Sequence, residues 1–120
     1  ERLEVLGTGR QEKDYLYIED AVNATLRVVE KGRLRGEAYN VGSGVACTVR
    51  ELTMALLRIL GLGGRTRVVC RGGLSWPGDV QRTCADISKL EKLGFVPKVE
   101  LEQGMRAFVD WYQSEYGRVV

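Results

Sequence analysis

Short apolar runs and longer amphipathic segments alternate along the chain, and these changes of period predict its elements. Residues 2–6 and 66–70 are short runs rich in apolar and β-branched residues that stop at turn residues, which predicts a strand at each. Residues 14–18 and 37–41 predict two more strands on the same grounds. Because these strands alternate with helical segments, the pattern predicts an α/β fold with a small mixed sheet and about four helices.

The first predicted helix follows the strand at residues 14–18. Asp20 is expected to be its N-cap, where a carboxylate accepts a hydrogen bond from a free amide of the next turn. The helix is expected to run to about Lys31 and to end at Gly32, with that glycine in the left-handed conformation. Its apolar stripe recurs at the helical period and consists of Val22, Leu26 and Val29.

The second predicted helix has the clearest start and stop signals in the chain. Thr48 and Glu51 have the spacing of a capping box, in which each side chain satisfies the backbone amide of the other residue. Gly61 is expected to end the helix. One apolar stripe follows from the spacing, formed by Leu52, Ala55, Leu56, Ile59 and Leu60.

The second half of the chain is predicted to contain a long loop and two more helices. Residues 71–85 include four glycine or proline residues and show no periodicity, which is typical of a functional or a disordered loop. Asp86 is expected to cap a short helix that ends before Gly94. A final helix is expected from about residue 101 to residue 116, with these side chains facing inward: Leu101, Met105, Phe108, Tyr112 and Tyr116.

The composition fits one small cytoplasmic domain. The chain has 120 residues, of which 44% are hydrophobic, enough for one core without metals or disulfides. No apolar run approaches the ~18 residues of a membrane span, so no membrane partner is expected. Three cysteines cannot all pair with one another, and a reduced setting with buried thiols is the simpler interpretation of Cys47, Cys70 and Cys84.

Charge and the lack of histidine exclude several kinds of site. The 18 basic and 16 acidic residues give a net charge of +2, too small for the field that nucleic-acid binding proteins use. Basic residues recur near the loops, which suits a small anionic ligand better than a polymer. Without histidine the chain cannot supply a Ser-His triad, a Cys-His dyad or a His-ligated zinc site.

Four sequence blocks together resemble one enzyme family. Residues 7–20 read Gly-Thr-Gly-Arg-Gln-Glu-Lys-Asp-Tyr-Leu-Tyr-Ile-Glu-Asp, which resembles a signature of the extended short-chain dehydrogenases. Three further blocks follow in the family's order: Ala-Tyr-Asn-Val-Gly-Ser-Gly at 38–44 with Thr-Val-Arg-Glu-Leu at 48–52, Pro-Gly-Asp-Val at 77–80, and Ala-Asp-Ile-Ser-Lys-Leu from 85. The resemblance is to the NAD-dependent epimerase/dehydratase family, in its UDP-glucose 4-epimerase-like branch.

The resemblance implies that residues 1–120 are the C-terminal, nucleotide-sugar-binding domain of an extended Rossmann-type enzyme. In that family, an N-terminal domain binds NAD through a Gly-x-x-Gly-x-x-Gly turn, and a Tyr-x-x-x-Lys pair takes part in proton transfer. Neither spacing occurs in this sequence, so the NAD-binding domain is absent from residues 1–120. We expect NAD in the whole enzyme, and no bound cofactor and no catalytic residue in residues 1–120.

The family's substrate contacts transfer onto four positions of this chain. Lys13 stands where the family has an arginine, and with Arg82 it is expected to hold the diphosphate. The alternatives are a solvated surface lysine and an Arg82 that is solvated on its loop or paired with Asp79. Gln11 lies where the family has a polar residue close to the nucleotide, or it stabilises the turn. Trp76 replaces an arginine of many relatives and either stacks on a base or sugar ring or packs against the loop.

Two partners follow from the resemblance: a nucleotide-diphosphate sugar and the N-terminal half of the same enzyme. The strand predicted at 37–41 and the helix before it would belong to that half's sheet, so in an isolated chain the open strand edge would favour self-association. A non-catalytic, stand-alone binding or scaffolding module is the alternative function. The residues leave open which base and sugar are bound, and whether the parent enzyme epimerises, dehydrates or reduces its substrate.

Overall fold

A computed structural model describes residues 1–118 as an α/β arrangement of four strands and four helices. This confirms the predicted class and the number of helices. In chain order the elements are β1 (Arg2–Val5), β2 (Glu12–Asp14), α1 (Ile18–Lys31), β3 (Ala46–Thr48), α2 (Val49–Ile59), β4 (Arg67–Cys70), α3 (Ser88–Glu91) and α4 (Leu101–Tyr116).

The strands form two small sheets of two strands each. β1 pairs with β4 in parallel, in a register that runs from Arg2 opposite Arg67 to Val5 opposite Cys70. β2 pairs with β3 in antiparallel fashion, with Lys13 opposite Cys47. Because β1 and β2 are joined only by the short turn around residues 7–9, the two sheets lie next to each other.

Two of the four predicted strands are corrected. The strand expected at 14–18 is instead Glu12–Asp14, because only these residues have a partner in β3, and the chain is already helical from Ile18. The strand expected at 37–41 is not formed within residues 1–118, where no other strand pairs with it. Its apolar and β-branched residues favour a strand, but a ladder also needs the N–H and C=O groups of a neighbour.

α1 has the predicted end but a different start and a different buried face. Tyr17 is its N-cap residue, so the prediction for Asp20 is wrong: Asp20 lies inside the first turn, is only 2% exposed, and accepts hydrogen bonds from the backbone of Lys98 and Val99. Gly32 has an extended backbone, not a left-handed one. Glycine is required there by space, because a Cβ would lie 2.4 Å from the carbonyl oxygen of Val28.

The core lies on the side of α1 away from its apolar stripe. Ala24 packs there with Ile87 and Leu90 around α3 and with Phe95, and all four are buried. Val28 is partly buried against this core, whereas four other large apolar side chains of α1 are at least half exposed, namely Ile18, Val22, Leu26 and Val29. On α1, the small side chain of Ala24 is fully buried in this core, and the apolar stripe itself is uncovered.

α2 confirms its predicted capping signals. The Thr48 hydroxyl accepts from the Glu51 amide at 3.1 Å, and the Glu51 carboxylate accepts from the Thr48 amide at 2.7 Å. The helix ends where predicted, followed by Gly61 in the left-handed region with φ of +69°. Its packing partner is α4.

α3 and α4 are also close to prediction. Ile87, not Asp86, is the N-cap residue of α3, but the Asp86 carboxylate still accepts from the Ser88 amide at 3.0 Å. α4 has the predicted bounds. Its inward stripe is only half confirmed: Leu101 and Met105 are partly buried, whereas three aromatic residues towards the C-terminal end are exposed, namely Phe108, Tyr112 and Tyr116. These rings pack mainly on one another and on Trp111.

No helix among the described residues is both long enough and apolar enough to cross a membrane.

Candidate functional site

A cavity of about 390 Å³ lies beside the first sheet and brings three of the four predicted site residues together. β1 forms one wall and the start of β2 and of α2 form another. The tip of the long loop, with Ser75 and Trp76, completes the lining of the cavity. Its lining residues are Leu3, Glu4, Val5, Leu6, Gln11, Lys13, Tyr15, Val49, Thr53, Ser75 and Trp76.

Lys13 is held at the cavity wall by an ion pair. Its Nζ lies 3.0 Å from Oδ1 of Asp79 and also donates to the carbonyl oxygen of Val80. The Asp79 side chain is fully buried, and its second oxygen accepts from the Ser75 hydroxyl. The hydrogen bonds from Ser75 and then from Lys13 hold the pKa of Asp79 below its ordinary value of 3.8. Asp79 is therefore ionised at neutral pH, and the pair carries no net charge.

A tight turn places Trp76 in the cavity lining and buries Asp79 beside Lys13. The amide of Asp79 donates to the carbonyl of Trp76 at 3.1 Å, closing a four-residue turn. Pro77 occupies its second position and Gly78, with φ of +86°, its third, which are the residues that a type II turn favours. Trp76 is 55% exposed, so its ring is available to a ligand.

Gln11 is buried beneath the cavity and holds the turn between β1 and β2. Its side-chain amide donates to the carbonyl of Leu6 at 2.8 Å, and its own backbone carbonyl accepts from the amide of Val49. Glycine is favoured at position 7 beside it, because the backbone there has φ of +79° and a Cβ would also lie 2.7 Å from the Gln11 Nε2. These contacts supply the turn-stabilising role that sequence reasoning weighed; a direct ligand role for Gln11 stays a prediction.

Arg82 lies apart from the other three predicted site residues. Its guanidinium pairs with Glu12, not with Asp79, and is 71% exposed. Successive residues of a strand point to opposite faces, so Glu12 and Lys13 carry their partners to opposite sides of β2. Arg82 lines a different cavity of about 680 Å³, together with Asn40. The expected convergence of Lys13 and Arg82 is not seen within residues 1–118.

Asp14 is a residue of this region that sequence reasoning missed. Its carboxylate accepts from the amide of Ser43 at 2.8 Å, from the Ser43 hydroxyl, and from the amides of Gly44 and Ala85 at 3.1 Å each. Burial raises its pKa, but these hydrogen bonds, those of Ser43 first, outweigh burial and leave the pKa below 3.8. Asp14 thus ties β2 to the turn before β3 and to the end of the long loop. The Gly-Ser-Gly run was the available signal, since such turns expose several amides.

The thiols and acidic groups offer no metal site within residues 1–118. All three cysteines are free; Cys47 and Cys70 are half-buried, and the expectation of a buried thiol is wrong for Cys84, which is exposed. Burial, and then the nearby Glu51, raise the pKa of Cys47 above its ordinary value of 9.0, so this thiol is protonated at neutral pH.

Comparison with known proteins decides the family. The family model described as GDP-mannose 4,6 dehydratase matches residues 1–108, nine-tenths of the chain. The chain belongs to the GDP-mannose 4,6 dehydratase family. The predicted resemblance to extended short-chain dehydrogenases of the epimerase/dehydratase type is thereby confirmed.

Known proteins related to this family are similar to the chain in sequence and in structure. GDP-L-fucose synthase 1 of Arabidopsis thaliana is 34% identical over 113 residues, covering 93% of this chain and 33% of the relative. The structure of UDP-glucose 4-epimerase from Thermotoga maritima with UDP-glucose superposes with a TM-score of 0.82 at 33% identity, covering 96% of this chain and 36% of that one. The dTDP-glucose 4,6-dehydratase of Bacillus anthracis in complex with NAD gives a TM-score of 0.79 at 27% identity, covering 96% and 35%.

The chain spans about one third of the length of the dehydratase-family relatives that it matches, and the match lies in their C-terminal part. The observed elements agree with the C-terminal portions of these Rossmann-type structures.

Proposed function

We propose that residues 1–120 are the nucleotide-sugar-binding part of an NAD-dependent epimerase or dehydratase. The observation that carries the proposal is the cavity beside β1, where Lys13 and Trp76 face one space above the turn held by Gln11. A cation and an aromatic ring are the groups that bind a phosphate and a base or sugar ring. Support comes from structural neighbours that were determined with UDP-glucose or with NAD.

In the proposed complex, Lys13 donates to a phosphate oxygen. An ammonium group has three N–H donors, and Asp79 and Val80 occupy two of them. One donor is therefore left for a ligand. Trp76 stacks on the base or on the sugar, and Gln11 keeps the β1–β2 turn in place beneath them. Arg82, on its separate cavity, contacts the part of the substrate that extends beyond the first cavity.

We further propose that the rest of the same enzyme covers the exposed apolar side chains of α1. Four of them lie on one face of the helix, with exposures from 50% to 66%. Apolar faces of this kind on soluble domains commonly mark a protein contact. Residues 37–41, which read as a strand but lack a partner among residues 1–118, lie close along the chain and would pair with the same missing sheet.

NAD and the proton-transferring residues would come from that remaining part, because neither family motif occurs in this sequence. In the family, reaction begins with hydride transfer from the sugar C4 to NAD while a tyrosine removes the hydroxyl proton. Residues 1–120 would hold the nucleotide so that the sugar reaches these groups. They would add no cofactor contact and no catalytic group of their own.

The test is turnover by the product of the whole reading frame that contains this chain. We would supply NAD with GDP-mannose, UDP-glucose or dTDP-glucose and follow the sugar by NMR, expecting a C4 epimer or a 4-keto product from one of them. Lys13→Met should raise KM for that substrate by about tenfold, because it removes one donor and leaves the Asp79 carboxylate without its counter-charge beside the phosphates. The matched control is Lys98→Met, because Lys98 is exposed and does not line the cavity.

Two results would count against the proposal. A reading frame that lacks both the glycine-rich turn and the Tyr-x-x-x-Lys pair would leave a stand-alone binding or scaffolding module as the better interpretation. Turnover with an unchanged KM in Lys13→Met would show that the enzyme assignment holds but that the substrate lies elsewhere.

A further inference from the structure

The cavity beside β1 is electrically balanced by internal pairs. Lys13 is the single cationic side chain among the described residues that line it. Its charge is matched by Asp79 at 3.0 Å. Glu4, which also lines the cavity, is matched by Arg2 at 2.6 Å and by Arg71. A ligand that enters this cavity therefore meets no cation that lacks a counter-charge.

Asp79 cannot move away from Lys13 without disturbing the loop. One carboxylate oxygen accepts from Lys13, the other accepts from the Ser75 hydroxyl, and the side chain is fully buried. Its backbone amide also closes the turn that begins at Trp76. Lys13 is likewise restrained, with a side chain only 21% exposed and a second bond to Val80. The pair is thus fixed at both ends.

We propose that Asp79 is a specificity-determining residue of this cavity, competing with the phosphates of a ligand for Lys13 and so lowering the affinity for pyrophosphate. This inference rests on the proposed function for the class of ligand. The physical reason is that a phosphate oxygen bound to the Lys13 ammonium must lie within a few ångströms of the Asp79 carboxylate. Two like charges at that distance repel, which offsets much of the attraction to the lysine.

It follows that the charge of a ligand contributes little to its affinity for this cavity. The contacts of its base or sugar ring with Trp76 contribute more. Tryptophan at this position fits the same picture, because it adds contact area for a base or sugar without adding charge. Ligands with the same ring but different numbers of phosphates should then differ little in affinity for the wild-type chain.

The first experiment compares inorganic pyrophosphate and UDP as titrants by calorimetry. Asp79→Asn removes the competing charge and should lower Kd for both by about tenfold, equivalent to ~1.4 kcal/mol. In the double variant Lys13→Met/Asp79→Asn this gain in affinity should vanish, because it depends on the Lys13 ammonium that Asp79 no longer holds. Asp110→Asn is the matched control: it changes net charge by the same amount on the exposed face of α4 and should leave Kd unchanged.

The second experiment needs no ligand, and its first comparison uses only the wild-type chain. Trace acetylation followed by mass spectrometry reports how available each amine is, and Lys13 in the wild-type chain should react several-fold more slowly than exposed Lys98. Asp79→Asn should bring Lys13 close to the rate of Lys98. This measurement still decides the matter if Asp79→Asn fails to fold.

Three results overturn the inference: equal labelling of Lys13 and Lys98 in wild type, no tighter pyrophosphate binding in Asp79→Asn, or a gain that persists without Lys13. None of these readouts involves NAD or turnover. Failure of the whole enzyme to convert a nucleotide sugar would therefore be seen separately, as failure of the proposed function.

Discussion

Replacing Asp20 by alanine should remove a buried hydrogen-bonded link between α1 and the segment that leads into α4. The Asp20 carboxylate accepts from the amides of Lys98 and Val99, each at 2.9 Å, across a separation of 78 and 79 residues. The side chain is 2% exposed, so water does not compete for it in the folded state. Both bonds end on one oxygen, Oδ2, so alanine deletes the shared acceptor and leaves two amides without a partner.

The expected loss follows from the character of these bonds. A hydrogen bond to a charged group contributes about 1.5–3 kcal/mol, so two contribute roughly 3–6 kcal/mol. Lys98 is exposed, and water can reach its freed amide, which moves the expectation to the lower end, about 3 kcal/mol. Asp20→Asn can keep an oxygen that faces both amides but loses the charge, so it should cost about half as much. Since a domain of this size is typically stable by ~5–15 kcal/mol, the alanine variant should fold but be clearly weakened.

Urea unfolding followed by circular dichroism measures this loss. With a slope near ~2 kcal/mol/M, Asp20→Ala should lower the midpoint by roughly 1.5 M. Hydrogen exchange should speed up by about 100-fold at the amides of Lys98 and Val99, and less elsewhere. Asp110→Asn, an exposed aspartate of α4, is the control and should shift stability by no more than ~0.5 kcal/mol. An unchanged midpoint together with unchanged exchange at residues 98 and 99 would refute the reasoning.

Two further perturbations test the junction around Asp14. Gly42→Ala should destabilise the fold by about 1–3 kcal/mol, because its Cβ would lie 2.5 Å from that of Ala85 and 2.7 Å from the Asp14 carboxylate. The control is Gly63→Ala, whose Cβ meets nothing within 4 Å and which should be neutral or slightly stabilising. Equal urea midpoints for the two variants would contradict this. The folded-state pKa of Asp14 is lowered, so its stabilisation is present above 3.8 and lost as pH falls through the lower folded value. The stability difference between wild type and Asp14→Asn should therefore shrink in acid, and a constant difference down to pH ~2 would show that charge is not involved.

Local signals were sufficient wherever an element is defined by its own neighbours in sequence. The capping box of Thr48 and Glu51 and the periodicity of α2 and α4 gave correct bounds, because caps and helical hydrogen bonds join residues at most four apart. The strands at 2–6 and 66–70 were also located to within a residue or so. A strand at 37–41 could not be decided in this way, since pairing depends on a partner that the local pattern does not contain.

Two carboxylates, buried Asp20 and partly buried Asp14, show where local reasoning fails. The sequence pattern predicts a cap for Asp20 and no role for Asp14, yet both accept hydrogen bonds from backbone amides of segments at least 29 residues away. An acidic residue before or inside a first helical turn fits a cap, the dipole and a long-range clamp equally well. Only the fold decides which of these it is.

The site was predictable in part for the same reason. Gln11 and Lys13 lie on one short segment, and the loop tip with Trp76 returns over it, so the three meet. Arg82 was grouped with them from its place in the family pattern, but strand alternation puts its partner Glu12 on the other face of β2 from Lys13. The Lys13–Asp79 pair, which changes the electrostatics of the cavity, joins residues 66 apart and has no local signature.

Amphipathic periodicity identifies an apolar face but not the surface that covers it. The stripe of α1 was predicted correctly as a stripe, yet Val22, Leu26 and Val29 are half exposed or more. Fully burying side chains of this size contributes about 1.5–3 kcal/mol each. Because these three and Ile18 are already partly covered, completing their burial would add roughly 3–7 kcal/mol in total. That is a large fraction of the net stability of a small domain. In the proposed enzyme, the remaining part therefore adds to the stability of residues 1–120, and the isolated chain should gain stability on meeting it.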